Sequence, residues 1–138
     1  MDKVIKVWFD NHRIYIETDS GELLSRPLEA FPRLLDASPA EREAFTIGRF
    51  GDDIRWEALD EDIHISSFHE TTEPNPDNEV GSLFREFPQL RPSEMASLIG
   101  IQKSLLDKYI YGMKLPSAER MAQIKAAMLT ASQRPVAV

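Results

Sequence analysis

The stretch Met95-Ala96-Ser97-Leu98-Ile99-Gly100-Ile101-Gln102-Lys103-Ser104-Leu105-Leu106-Asp107-Lys108-Tyr109 decides how the second half of the chain folds. Met95, Ala96 and Ile99 share one helical face, and Leu106 and Tyr109 share another one turn-and-a-half later. Between the two faces stands Gly100, a residue free to take positive φ where a helix ends. Ala96 is small enough for a second helix to approach the first closely, and Ile101 fills the corner. The pattern predicts two short helices joined by a turn of about three or four residues.

Working outward, the helical period continues on both sides. Val80, Leu83, Phe84 and Phe87 fall on one helical face. Pro92-Ser93-Glu94 starts the helix that carries Met95, with Pro92 at or near its first position. The next helix spans roughly Lys103 to Tyr111 and ends at Gly112. Pro116-Ser117 opens a fourth, with Met121, Ile124 and Met128 facing inward and Leu129 as a further candidate.

The whole is the pattern of a helix-turn-helix. Its continuation, Tyr109-Ile110-Tyr111-Gly112-Met113-Lys114-Leu115-Pro116-Ser117, resembles the ending of Cro/repressor-like domains, and the resemblance covers Val80 to Leu129. It implies a lambda-repressor-like fold whose third helix enters the DNA major groove. Carried over position by position, it implies that Gln102, Lys103 and Ser104 start the recognition helix and reach base edges or nearby phosphates. Asp107, Lys108 and Tyr111 are expected on the outer side of the same helix. Gln can bond adenine and Lys guanine, so Gln102 and Lys103 are the candidates for direct readout. Lys108, Lys114 and Ser117 are candidates for phosphate contacts, which position without specifying. Asp107 departs from the pattern: it either accepts from cytosine or repels phosphate. Arg91 departs too, standing where Asn, Asp or Ser would cap better.

The bulk charge speaks against nucleic acid at first sight. The chain has 138 residues, a net charge of -7 and 42% hydrophobic residues. Residues 1–78, however, carry 8 Lys+Arg and 18 Asp+Glu, whereas residues 79–138 carry 8 and 5. Such asymmetry fits two modules, one acidic and one a nucleic-acid reader. A net of +3 gives modest affinity, so a homodimer on a palindromic operator is expected, with half-sites one DNA turn apart. The apolar fraction is too high for a disordered chain. No apolar run reaches the roughly 18 residues of a membrane helix. The start, Met1-Asp2-Lys3-Val4-Ile5-Lys6, lacks the apolar core of a signal peptide, so a cytoplasmic protein is expected. The absence of cysteine excludes disulfides and thiol chemistry.

The expected organisation is an α+β domain over residues 1–70, a linker over 71–78 containing Pro74 and Pro76, and the helix-turn-helix domain over 79–138. In the first domain, Val4 to Phe9, Ile14 to Ile16 and Leu23-Leu24 are separated by the turn signals Asp10-Asn11-His12 and Asp19-Ser20-Gly21, which predicts an antiparallel meander. Leu28 to Leu35 is an apolar patch interrupted by Pro32, read as a loop or a broken helical turn. Ser38-Pro39-Ala40-Glu41 predicts a capping box and a helix ending near Gly48. A strand over Ile47 to Trp56, broken by Gly51-Asp52-Asp53, and a last strand from Ile63 to Phe68 complete the reading. Trp8, Trp56, Phe9 and Phe50 are expected in the core.

Residues 3–68 also resemble a small bacterial domain family of unknown function, through Arg26-Pro27-Leu28, Ser38-Pro39-Ala40-Glu41-Arg42 and the run from Gly51 to Ile63. That resemblance implies an antiparallel α+β fold and an antitoxin role beside a small toxin-like partner. The acidic residues Asp52-Asp53 and Asp60-Glu61-Asp62 read as solvated turns. His64 and His69 would lie on opposite faces of a strand, and Ser66-Ser67 lacks a nucleophile elbow. No catalytic residue, metal ligand or cofactor is therefore expected. Two functions remain open: a sequence-specific DNA-binding regulator, in one form an autoregulating antitoxin, or a protein-interaction module whose acidic domain binds a partner such as a small toxin, one route being strand addition at an exposed edge.

Overall fold

Alternating β-branched and aromatic residues form the first three strands, β1 (Val4–Phe9), β2 (Arg13–Thr18) and β3 (Leu23–Pro27), paired antiparallel in the order β1-β2-β3. The computed structural model describes residues 2–132. The Asp10 carboxylate closes the first turn by accepting the His12 and Arg13 backbone N–H groups, each at 2.7 Å. Gly21, at φ 87°, supplies the left-handed residue of the second turn. The register sets Val7 opposite Ile16 and Trp8 opposite Tyr15. Val4, Val7, Ile14 and Ile16 thus line a buried face, and Trp8 and Tyr15 stack on the other with ring centroids 5.6 Å apart. A bulge between Val4 and Lys6 turns Ile5 outward.

The apolar patch after β3 is a 3-10 turn (Leu28–Ala30) and a single helical turn, α1 (Pro32–Leu35). α2 (Pro39–Glu43) starts with the full capping box, the Ser38 and Glu41 side chains each accepting the other's backbone N–H. It ends at Glu43, well before Gly48, because Phe45 turns in against Trp56 and Thr46 and Ile47 pair as a strand. The strand expected over Ile47 to Trp56 is instead a hairpin of β4 (Thr46–Ile47) and β5 (Asp53–Trp56), joined by β6 (Glu61–His64) in the order β4-β5-β6. The last expected strand stops at His64, whose ring accepts the Ser66 N–H and starts a 3-10 turn (Ile65–His69). Phe50 is 70% exposed and so lies outside the core.

Trp56 centres that core. Its ring meets Phe9 edge-on and Phe45 at a tilt, and its indole N–H donates to the Arg42 carbonyl at 2.8 Å. The Arg42 guanidinium in turn donates to the Leu34 and Leu35 carbonyls at the end of α1. Truncating Trp56 to alanine would cost about 3–5 kcal/mol.

The chain consists of two compact units, Met1–Glu73 and Pro74–Val138. The stretch expected to be a spacer over 71–78 therefore splits, three residues with the first unit and five with the second. The second unit, in its described residues, consists of α3 (Glu79–Glu86), α4 (Pro92–Ile99), α5 (Lys103–Ile110) and α6 (Ala118–Ser132). Val80, Met95, Ala96, Leu106, Tyr109, Ile124 and Met128 form its core. Leu129 points outward instead, 59% exposed, because the face of α6 that turns in carries Ile124 and Met128. Residues 133–138 of the expected helical domain lie outside the described residues.

Candidate nucleic-acid interface

Two helices meet at a tight corner, and the corner is set by Gly100. It ends α4 at φ 88° and ψ 30°, in the left-handed region. The Gly100 and Ile101 N–H groups both donate to the Ala96 carbonyl, at 2.9 and 3.0 Å, so the helix closes on its own last turn. The chain then runs extended through Gln102, at φ -72° and ψ 144°, and α5 begins at Lys103. Gln102 makes no side-chain cap, and its side chain is exposed at the first turn of α5.

Seven of the eight residues assigned to DNA contact fall into three placements. Gln102 and Lys103 are exposed at the start of α5. Ser104, Lys108 and Tyr111 follow at helical spacings of four and three, so they share one stripe; all three are half-buried. Lys114 and Ser117 lie beyond the turn that follows α5, and both are exposed. That turn is closed by the Met113 and Lys114 N–H groups, which donate to the Lys108 carbonyl at 2.8 and 3.3 Å. Ser117 opens α6: its hydroxyl accepts the Arg120 N–H at 3.1 Å.

Asp107 is not on the outer side of α5. It is 6% exposed, and the Lys103 ammonium donates to its carboxylate at 2.7 Å. A cation in the first turn of a helix faces the positive end of the helix dipole, so Lys103 is poorly placed for the stability of α5 alone. Asp107 offsets that charge. Elsewhere in the unit Lys125 pairs with Glu79 at 2.6 Å. Among the described residues Lys108 and Lys114 have no carboxylate partner.

Two residues in the expected spacer hold the far end of α5. Asn78 caps α3 by accepting the Gly81 N–H at 2.9 Å, and its amide nitrogen donates to the Ile110 carbonyl at 3.0 Å. The Asn75 N–H donates to the Tyr111 carbonyl at 2.8 Å. Four orphan carbonyls end every helix, and here two of them are answered by the segment before α3. Gly81 and Gly112 permit this closeness: a Cβ on Gly81 would lie 2.8 Å from the Ile110 carbonyl oxygen, and one on Gly112 2.2 Å from that of Asn75. The asparagine-proline spacing marks a turn in the sequence, but only the fold says which helix it fastens.

In the first unit the acidic residues disperse. Asp60 pairs with Arg55 at 3.0 Å, and Asp52 lies 3.8 Å from His64 Nε2. Burial lifts the Asp53 carboxyl above its ordinary value, and the nearby Asp62 carboxylate adds to the lift. The Tyr15 hydroxyl, donating to Asp10, holds that carboxyl below its ordinary value. Among the described residues no three His, Asp or Glu side chains are grouped to hold a metal ion. No helix among them is long and apolar enough to cross a membrane.

Residues 4–70 match the family model described as Protein of unknown function (DUF2442). The match overlaps the stretch over which the sequence resembles a bacterial family of unknown function. No curated protein matches the chain. Among solved structures the chain is similar to "Putative DNA Binding Protein NE0471" from Nitrosomonas europaea ATCC 19718, at 13% identity and a TM-score of 0.38, over 100% of this chain and 94% of that one.

Proposed function

We propose that the chain is a cytoplasmic, sequence-specific DNA-binding transcriptional regulator that works without catalysis and binds as a homodimer. In this reading the second unit is a helix-turn-helix domain of the Cro/lambda-repressor kind, and α5 is its recognition helix. The observation that carries it is the corner at Gly100. A left-handed glycine and the small Ala96 bring α4 and α5 together, leaving Gln102 and Lys103 exposed at the leading end of α5.

The roles follow from chemistry. Gln102 has both amide donor and acceptor at the exposed end and would read adenine. Lys103 is held by Asp107, so its contact to a guanine or phosphate requires that this pair be shared or opened. Ser104 and Tyr111 flank the same stripe as Lys108. Lys108 and Lys114 would contact phosphates, and Ser117 would place the start of α6 beside another. With few cations committed to phosphate, one copy binds weakly, and a second copy on a neighbouring half-site supplies the missing affinity.

A mobility-shift assay on the DNA upstream of the gene, at two salt concentrations, tests the reading. The full chain should bind, binding should weaken as salt rises, and Lys108→Ala should weaken it at both. Equal binding by parent and variant, with no effect of salt, would overturn it.

A further inference from the structure

An open groove runs between the end of α4 and one face of α6. Its volume is about 340 Å³, and Leu98, Ile99, Gln123, Ala126, Ala127 and Thr130 line it. None of these side chains is charged. α4 and α6 carry four charged residues among their described positions, and none of them lines the groove. Glu94 stands one turn before Leu98, Glu119 and Arg120 stand about one turn before Gln123, and Lys125 pairs with Glu79 at 2.6 Å. Leu98 is nevertheless 43% exposed.

The α6 side of the groove is symmetric in its chemistry. Gln123, Ala126, Ala127 and Thr130 share one helical face, and the two polar residues stand equally far from the alanine pair between them. A second α6 laid antiparallel across that pair sets each Gln123 opposite the Thr130 of the other copy. The groups match. The Thr130 hydroxyl donates to the Ala126 carbonyl at 3.0 Å, which leaves its lone pairs to accept. The Gln123 amide is exposed and makes no hydrogen bond among the described residues. The two alanines let the helices approach closely, because interaxial distance follows the size of the side chains at the contact.

We infer that this face joins two copies of the chain about a two-fold axis through the Ala126–Ala127 pair. The inference deepens the proposed regulator reading, which calls for a dimer without saying which face forms it. Self-complementarity selects the occupant: a two-fold contact pairs one patch with itself, so a donor on one side of its centre requires an acceptor equally far on the other. Charge agrees. Two copies that each carry a net -7 repel, and the cost is least where uncharged surfaces meet. No cation lines the groove to receive a phosphate. Leu98 and Ile99 end the helix that Gly100 closes, so a contact here adjoins the corner before α5 and sets the spacing of the two α5 helices.

Sedimentation equilibrium of the full chain, without DNA, tests the contact. The parent should dimerise at micromolar concentration. Ala126→Glu, at an exposed helical position, sets two carboxylates against each other across the axis. It should weaken the dimer roughly tenfold or more, with an unchanged circular-dichroism spectrum. Ala122→Glu, exposed on the same helix but outside the groove, should dimerise like the parent. The chain has no cysteine, so Ala126→Cys supplies a single thiol; mild oxidation should link it into a covalent dimer and should leave Ala122→Cys unlinked. The inference is overturned by a parent that stays monomeric at millimolar concentration, by undiminished dimerisation of Ala126→Glu, or by equal cross-linking of the two cysteine variants. A dimer of the expected behaviour that shifts no DNA upholds the contact and removes the regulator reading, whereas a monomeric parent that shifts DNA does the reverse.

Discussion

The Lys103 ammonium donates to the Asp107 carboxylate at 2.7 Å, one helical turn along α5, with the carboxylate side chain 9% exposed and the lysine 44%. The pair explains how a cation stands at the positive end of a helix, and it restrains a residue that the proposed reading brings to DNA. In that reading Asp107 acts through Lys103, from a buried position.

Replacing that carboxylate should strengthen DNA binding. Asp107→Asn removes the negative charge from its contact with the Lys103 ammonium, so in the proposed reading Lys103 meets a phosphate at lower cost. Fluorescence anisotropy across a salt series should give tighter binding at low salt. The slope of log K against log salt should steepen by about one unit, as expected for one further phosphate neutralised. A slope no steeper than the parent's would mean that Lys103 does not reach the backbone.

Two glycines with similar backbone angles should respond differently to alanine. Gly100 and Gly112 stand at φ 88° and 75°, so both substitutions strain the backbone by about 1 kcal/mol. At Gly100 a Cβ meets nothing within 4 Å, whereas at Gly112 it would lie 2.2 Å from the Asn75 carbonyl oxygen. Thermal melts should show Gly112→Ala clearly the more destabilising of the two. Equal losses would mean that residues 74–78 are not fastened to the end of α5.

Asp53 gives a stability effect with a defined sign. Its carboxyl is lifted by burial and by Asp62, so folding disfavours its charged form. The native state holds that proton more tightly than the unfolded chain does. The group is therefore no burden below its unfolded pKa near ~3.9 and costs stability as pH rises through the folded value. Asp53→Asn should raise Tm at about pH 7, and the gain should vanish near about pH 3. Asp10 and Glu41 are held down by hydrogen bonds from Tyr15 and from the Ser38 backbone, so they lose stabilisation as pH falls. They are common to both proteins and leave the difference unchanged. A variant less stable than the parent at neutral pH would contradict the assignment.

What the sequence made legible was what neighbours in the chain decide. The meander follows from alternation and two turn signals, and the Ser38–Glu41 capping box from a spacing of three. The corner at Gly100 follows from one glycine between two apolar faces. Contacts between distant residues were not legible. α2 ends early because Phe45 is drawn to Trp56, and a two-residue strand such as Thr46–Ile47 has no period to detect. His64 ends its strand through a side-chain bond to the Ser66 backbone, which alternation does not reveal. Within the site, the spacing of Lys103 and Asp107 was a visible signal for their pairing. The fastening of α5 by Asn75 and Asn78 was not, because it joins residues far apart in sequence.

Selection of the full chain against a random pool of DNA duplexes tests sequence reading by α5 most directly. The parent should enrich a two-fold symmetric sequence with half-sites about 10 base pairs apart, centre to centre, and Gln102→Ala should relax the preference at one position in each half-site. A pool that emerges unenriched, or an identical motif from parent and variant, would contradict the proposal that α5 reads DNA.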